Sequence, residues 1–448
     1  MGRGRLARRR GARPPAARRR RDRRDARPRT RREARRRRVA VRAARVVRRR
    51  RTAAGRTRVA CRDPARGVSA LAARDVAPAR TAPTVGRLEW VDAVRGYSVV
   101  AVVLAHVVLW HLLAVDAPTA DAGESVWGRV YGVLGSARMP VLLAVSGLVV
   151  ARRVRLGWRP GGLTLRVARN YYLYVVWLLL YAVFYAVVRD PSLPHRVDGV
   201  GDLLRQLVVP ETTLWYVFAL AVYIAVLGAL HRVPPWAVLS GLVALCLATH
   251  VLTSSDQMWA KVPEMFLFFA VGVYGAGPLR RLGERASWGA LLLAAGLAVA
   301  ATASGRLAEG VELAEAVVFV VRCLAFLVLA VLVVVLAVRW EPLRRLGLLL
   351  GRQTLPIYVL HPLWLALLLA YAGGLARDVT ATTVGSLLYP PAVTTLVVVL
   401  SLAVHAGARR AHALVPAFAM PRRWEERLAA VDARAPGRPA PVDSGRGA

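Results

Sequence analysis

Asp92-Ala93-Val94-Arg95-Gly96-Tyr97-Ser98-Val99-Val100-Ala101-Val102-Val103-Leu104-Ala105-His106 is apolar enough to lie in lipid, yet it carries an arginine and a histidine. An ionisable side chain at membrane depth is costly, so both are functional candidates by default. At about 3.6 residues per turn their spacing is close to three turns, which puts both on one helix face about 16 Å apart. Asp92 precedes Arg95 by one turn, close enough for an ion pair, and lies on roughly the face of His106. A helix with this pattern carries a cation near one membrane surface and an imidazole near the bilayer centre. A lone intramembrane histidine often serves as an interhelical hydrogen-bonding group. Arg95 on the same face favours the chemical role.

The rest of the chain extends this reading to an all-α, polytopic membrane bundle. It has 448 residues, a mean hydropathy of +0.42, and recurring runs of Leu, Val and Ala. Windows of about 19 residues predict ten transmembrane helices, at 92–115, 129–150, 169–188, 213–230, 235–253, 262–279, 287–303, 314–338, 349–371 and 386–406. The connections alternate in charge. Arg152, Arg153, Arg155, Arg159 and Arg166, then Arg232, then Arg280, Arg281 and Arg285, then Arg339, Arg344 and Arg345 fall on the side of the N-terminus, as do Arg409, Arg410, Arg422 and Arg423. The opposite loops hold Asp116, Asp121, Glu124, Asp190, Asp198, Asp202, Glu211, Asp256, Glu309, Glu312 and Asp378. The positive-inside rule therefore places both termini in the cytoplasm.

The formal charge of +39 suggests nucleic acid until it is located. Residues 1–87 hold 33 Arg against Asp22, Asp25, Glu33, Asp63 and Asp75, a net of +28. Segment 1–86 lacks the apolar clusters that would offset its ordering entropy, so it is expected to be disordered. It contains arginine without lysine, the usage expected of a GC-rich bacterial genome read in almost any frame, and Val85 is a plausible alternative start. Nucleic acid is not expected as a partner. A disordered basic tail is expected over 407–448. Cys61, Cys246 and Cys323 are scattered and imply neither a disulfide framework nor a metal site.

Further polar groups lie within the apolar segments. Arg138 falls in the second span, followed by Met139-Pro140 and Ser146-Gly147, and the span ends in Arg152-Arg153-Val154-Arg155. Small residues such as Ser146 and Gly147 commonly permit close helix packing. Guanidinium groups clustered at a helix end can recognise phosphates bidentately. Trp215 and Tyr216 open the fourth span and are most simply interfacial anchors. The ninth segment contains Leu355-Pro356-Ile357-Tyr358-Val359-Leu360-His361-Pro362, and its two prolines predict a kink facing polar groups, with His361 about halfway across. His111 is expected at the outer interface, rotated away from His106.

In combination, Trp90 to Gly96, the spacing of Arg95 to His106, Met139-Pro140 to Ser146-Gly147, Arg153 with Arg155, Leu214-Trp215-Tyr216-Val217 and Leu355 to Pro362 resemble the integral-membrane acyltransferase-3 family over roughly 87–406. That resemblance implies about ten helices with cytoplasmic termini, in a bacterial cytoplasmic membrane. It implies transfer of an acyl group, acetyl above all, from acyl-CoA to a hydroxyl or amine of a carbohydrate, cell-envelope glycan or secondary metabolite. It makes His106 the essential histidine, Arg95 its partner arginine, and Arg153 and Arg155 the cytoplasmic pair that would meet the donor phosphates. Asp92 would orient Arg95, and Arg138, Ser146, Trp215, Tyr358 and His361 are candidates for the substrate site. No tightly bound cofactor is expected; acyl-CoA is a substrate. The competing expectation is a transporter or flippase of a glycolipid or small metabolite, using the same intramembrane charges as a pathway without acyl chemistry.

Overall fold

A computed structural model describes residues 89–113, 121–158, 162–190, 193–253, 257–411 and 415–434. Segment 1–86, the alternative start at Val85, Cys61, and 435–448 lie outside the described residues. The described residues form helices and loops without strands. They comprise α1 (Glu89–Leu112), α2 (Asp121–Leu156), α3 (Leu163–Val187), α4 (Trp215–Ala229), α5 (Pro235–Leu252), α6 (Lys261–Tyr274) and α7 (Ala276–Glu284). There follow α8 (Trp288–Ala303), α9 (Glu312–Ala337), α10 (Glu341–Arg352), α11 (Thr354–Thr380), α12 (Thr383–Ala411) and α13 (Arg422–Arg434). Among the described residues nine helices are long and apolar enough to cross a membrane. The sixth predicted span, 262–279, expected as one helix, is broken: the pieces Met258–Tyr274 and Ala276–Glu284 meet at a 70° bend.

In lipid every backbone polar group must be satisfied within the protein, which is why apolar runs of this length become helices. Their burial then separates centre from rim. In α1 61% of the apolar window is buried and in α8 only 17%, so α1 is central and α8 faces outward. α1 packs against α2, α9, α10, α11 and α12.

Two crossings are set by glycine. At α2 and α6 the backbones themselves touch: a Cβ on Gly272 would fall on the Ala144 carbonyl, and one on Gly147 would fall on the Phe269 carbonyl. At α1 and α10, Gly347 and Gly351 are spaced as a small-xxx-small pair, with Gly351 against the Asp92 carbonyl. The α10 helix is amphipathic and was expected in part as the start of the ninth span. Its Arg344 bonds Glu341 at 2.6 Å and Glu89 at 2.7 Å, tying it to the first turn of α1. Arg344 and Arg345 hold the Glu341 carboxyl down at about 2.

The break after Arg352 corrects the reading of two internal prolines. Pro356 lies in the first turn of α11, where a missing N–H costs nothing, and only Pro362 is internal. A second correction concerns the tail, expected to be disordered. Val415–Phe418 and Arg422–Arg434 are helical. Aromatic anchors order them: Trp177 Nε1 donates to the Ala417 carbonyl at 2.6 Å, the Tyr172 hydroxyl to Pro416 at 3.0 Å, and Arg169 pairs with Glu425 at 2.7 Å. Near the start of α6, buried Glu264 is held at 3.0 Å by His250 and at 3.0 Å by Lys261. Lys261 is the only lysine in the chain.

Candidate active site

His106 lies on α1 and meets His361 of α11. Its Nδ1 is 3.0 Å from the Val102 carbonyl oxygen and 3.2 Å from His361 Nε2, while His361 Nδ1 is 3.2 Å from the Ile357 carbonyl oxygen. A carbonyl oxygen only accepts, so both Nδ1 atoms carry hydrogen and, in neutral rings, both Nε2 atoms are bare. The tautomers thus follow from the hydrogen-bond network. His106 Nδ1–H is shared between Val102 and His361 Nε2. The hydrogen bonds of His106 among the described residues are both made at Nδ1, which leaves the Nε2 lone pair for a substrate.

Immediately after His106 the helix widens into a π-turn, Val108–Leu112. Such turns insert one residue into an α-helix and concentrate at functional sites. Two residues in this turn point to different neighbours. Trp110 packs on His106 with ring centroids 4.9 Å apart. His111 is fully buried, its Nε2 donating to the Leu365 carbonyl at 3.1 Å and its Nδ1 accepting from the Tyr389 hydroxyl at 3.0 Å. The expectation that His111 is interfacial is therefore wrong: it fastens α1 to α11 and α12.

On the other side of the histidine pair, Tyr358 packs against His361 with centroids 5.8 Å apart and against Tyr216 at 5.1 Å. The Tyr358 hydroxyl donates to the Thr213 carbonyl, and Tyr216 shares a 2.9 Å hydrogen bond with Ser146. Ser146 also donates to the Leu142 carbonyl at 2.7 Å, so its proton is placed and the Tyr216 hydroxyl is the donor between them. The Ser146-Gly147 dipeptide thus divides its work. Ser146 faces the tyrosines, and Gly147 faces α6.

Two arginines lie near this row and two more lie beyond it at the end of α2. Arg95 lies within electrostatic reach of the Tyr216 hydroxyl, and its Nε is buried without a hydrogen bond. Arg138 is within electrostatic reach of His106; its Nη1 is buried and unbonded, and its guanidinium lies 5.0 Å from the Tyr131 ring. Arg153 and Arg155 are exposed at the end of α2, about 10 Å along the helix axis from Ser146. Among the described residues no contact joins them to Arg95. Arg153 instead neighbours Arg166, which neighbours Arg169, making a basic surface at the α2–α3 junction.

The remaining candidates separate. Asp92 is buried at the α1–α10 crossing, where its carbonyl meets Gly351. Trp215 and Tyr216 are both buried rather than anchored at an interface, and Trp215 makes no hydrogen bond to the site among the described residues. Two residues near His106 were not singled out from sequence. Trp110 was legible in principle, one turn beyond His106. His195 was not, because it belongs to the loop between α3 and α4. Its ring lies 5.9 Å from Trp110 and within electrostatic reach of His106. Burial pushes the His195 imidazole below its usual value, against the effect of a bond to the Glu211 carbonyl.

Among the described residues no cluster of His, Cys, Asp or Glu has the arrangement of a metal site. The geometry is that of two hydrogen-bonded histidines among aromatic rings, near two arginines that each have one buried nitrogen without a hydrogen bond. The model of the acyltransferase domain of the acyltransferase-3 family matches residues 88–406. The chain belongs to this family of multi-pass membrane proteins. It is similar to inner membrane protein YcfT of Escherichia coli (strain K12), 23% identical over 156 residues, covering 32% of this chain and 44% of that protein. The match therefore spans less than half the length of this curated relative. No solved structure matches the chain.

Proposed function

We propose that the protein transfers an acyl group, acetyl in the simplest case, from acyl-CoA to a hydroxyl or amine of a carbohydrate, envelope glycan or secondary metabolite. The observation that carries this reading is the free His106 Nε2 lone pair, held in place by His361 within a chain of the acyltransferase-3 family. The acceptor hydroxyl gives its proton to Nε2 as its oxygen attacks the thioester carbonyl. The C–S bond then breaks, and the imidazolium returns the proton to the departing thiolate. The products are acylated acceptor and free CoA. Alternatively Nε2 attacks first and carries the acyl group. Both routes use the same nitrogen.

As positive charge develops on His106, Nδ1–H donates more strongly to His361 Nε2, the orienting role that a carboxylate plays in hydrolase triads. The unbonded Nη1 of Arg138 is suited to charge on the carbonyl oxygen. With both termini in the cytoplasm of a bacterial inner membrane, Arg153, Arg155 and their neighbour Arg166 form a cytoplasmic landing surface for the CoA phosphates, and Arg95 lies deeper on the way to His106.

Two measurements address this. Purified full-length protein given acetyl-CoA should release CoA thiol, and cells that make the protein should contain an envelope glycan or metabolite heavier by one acyl group than cells that lack it. A protein that moves an unmodified glycolipid or metabolite and never consumes acyl-CoA is a transporter, and that result rejects the proposal. Within the site, His361→Leu should lower kcat for transfer about tenfold to a hundredfold, because a hydrogen bond to a charged group contributes about 1.5–3 kcal/mol. The KM for acetyl-CoA should stay the same. An unchanged kcat would remove His361 from the mechanism.

A further inference from the structure

The segment between α3 and α4 folds back over the end of α1 that carries Trp110. It is fastened at several points. The Tyr174 hydroxyl donates to the Gln206 carbonyl, and Gln206 Nε2 donates to Asp202 at 2.7 Å. Arg196 pairs with Asp198 and donates to the Asp190 carbonyl at 3.2 Å, and the Tyr185 hydroxyl donates to Pro194 at 3.5 Å.

Within this loop His195 has φ 56°, the only positive φ at a non-glycine among the described residues. A Cβ in the left-handed region is costly, and such strain persists where the surroundings impose it, commonly at functional sites. Glycine would meet the backbone need without cost. The chain has a histidine there instead, one of only eight.

That histidine is aimed at the chemistry. It packs on the Trp110 ring, which itself packs on His106, and the Glu211 carbonyl engages one of its nitrogens. Burial favours the neutral ring, in which one nitrogen donates and the other accepts. With one nitrogen engaged, one remains for a ligand.

We infer that His195 is a binding residue for the acceptor, forming a hydrogen bond to a polar group of the acceptor held away from the one being acylated, with the buried Trp110 ring between His195 and His106. This rests on the acyl-transfer reading and deepens it. The donor side, with Arg153 and Arg155, and the acceptor side, with Trp110 and His195, then approach His106 from different ends. The acceptor class that fits carries two hydrogen-bonding groups set apart by about the width of an indole ring, one for His106 Nε2 and one for His195.

The two roles of His195, backbone and ring, are separable by substitution. His195→Gly keeps the left-handed turn and removes the imidazole; His195→Asn keeps tolerance of that turn and a hydrogen-bonding group. In full-length protein, His195→Gly should unfold at the wild-type temperature or higher. In cells it should lower the amount of acylated product about fivefold, the cost of one hydrogen bond of average strength. His195→Asn should restore part of the loss, and the KM for acetyl-CoA should not move in either variant. Wild-type product from His195→Gly overturns the inference, as does a loss that Asn fails to relieve and that comes with a lower unfolding temperature. A wild type that neither releases CoA thiol nor yields an acylated product removes the acyl-transfer reading itself, a failure distinct from either.

Discussion

His106→Gln should lower acyl transfer about a hundredfold to ten-thousandfold, the range in which a positioned acid–base group contributes. Glutamine occupies similar volume and can still donate to the Val102 carbonyl, but it has no basic nitrogen in place of Nε2. Among the described residues His106 bonds only the Val102 carbonyl of its own helix and His361, so of the hydrogen bonds described between α1 and the other helices it makes only the one to α11. The protein should therefore insert and unfold much as the wild type does. Transfer measured with acetyl-CoA at equal protein, together with the unfolding midpoint in detergent, separates lost chemistry from lost structure. Transfer at the wild-type rate would falsify the assignment of His106 as base or acyl carrier.

Gly272→Leu should be the most damaging single change to the fold. A Cβ at this position overlaps the Ala144 carbonyl, and backbone cannot swing aside as a side chain can. Helices α2 and α6 must separate, losing the facing approach of Gly147 to the Phe269 carbonyl as well. Overpacking of this kind costs about 3 kcal/mol, a large part of a net stability of about 5–15 kcal/mol. Ser146 is next to Gly147, so displacement of α2 also moves the Ser146–Tyr216 contact at the site. Both the unfolding temperature and the yield of monodisperse protein should fall sharply. An unfolding midpoint equal to that of the wild type would mean that the crossing is looser than its backbone contacts indicate.

The helices were legible because an apolar run of about 20 residues has few alternatives in lipid. The predicted 235–253 and the observed Pro235–Leu252 differ by a single residue at one end. The break at Gly275 was not legible, since a glycine within an apolar run reads equally well as a packing position. Nor was α10, whose Leu346, Leu349 and Leu350 merge by hydropathy with the span that follows it. Arg95 and His106 announced themselves by the cost of burying them. Their partners did not. His361 is 255 residues from His106 in the chain, and only the packing of α1 against α11 brings the two rings together. His195 looked like any polar residue of a charged loop. The ordered end of the chain was missed because its anchors, Tyr172 and Trp177, lie in α3 and not in the tail.

The rings at the centre of the bundle have one more consequence. His195, Trp110, His106, His361, Tyr358 and Tyr216 follow one another in contact along a continuous row. Within a membrane, such a row is electrical insulation as well as the site of the proposed reaction. The membrane voltage falls mostly across the thinnest dry layer, and a charge crossing the whole of it exchanges about 2.3 kcal/mol per 100 mV. In the proposed transfer the proton taken up by His106 moves inside that layer, so each turnover must be completed without that proton leaving on the opposite side.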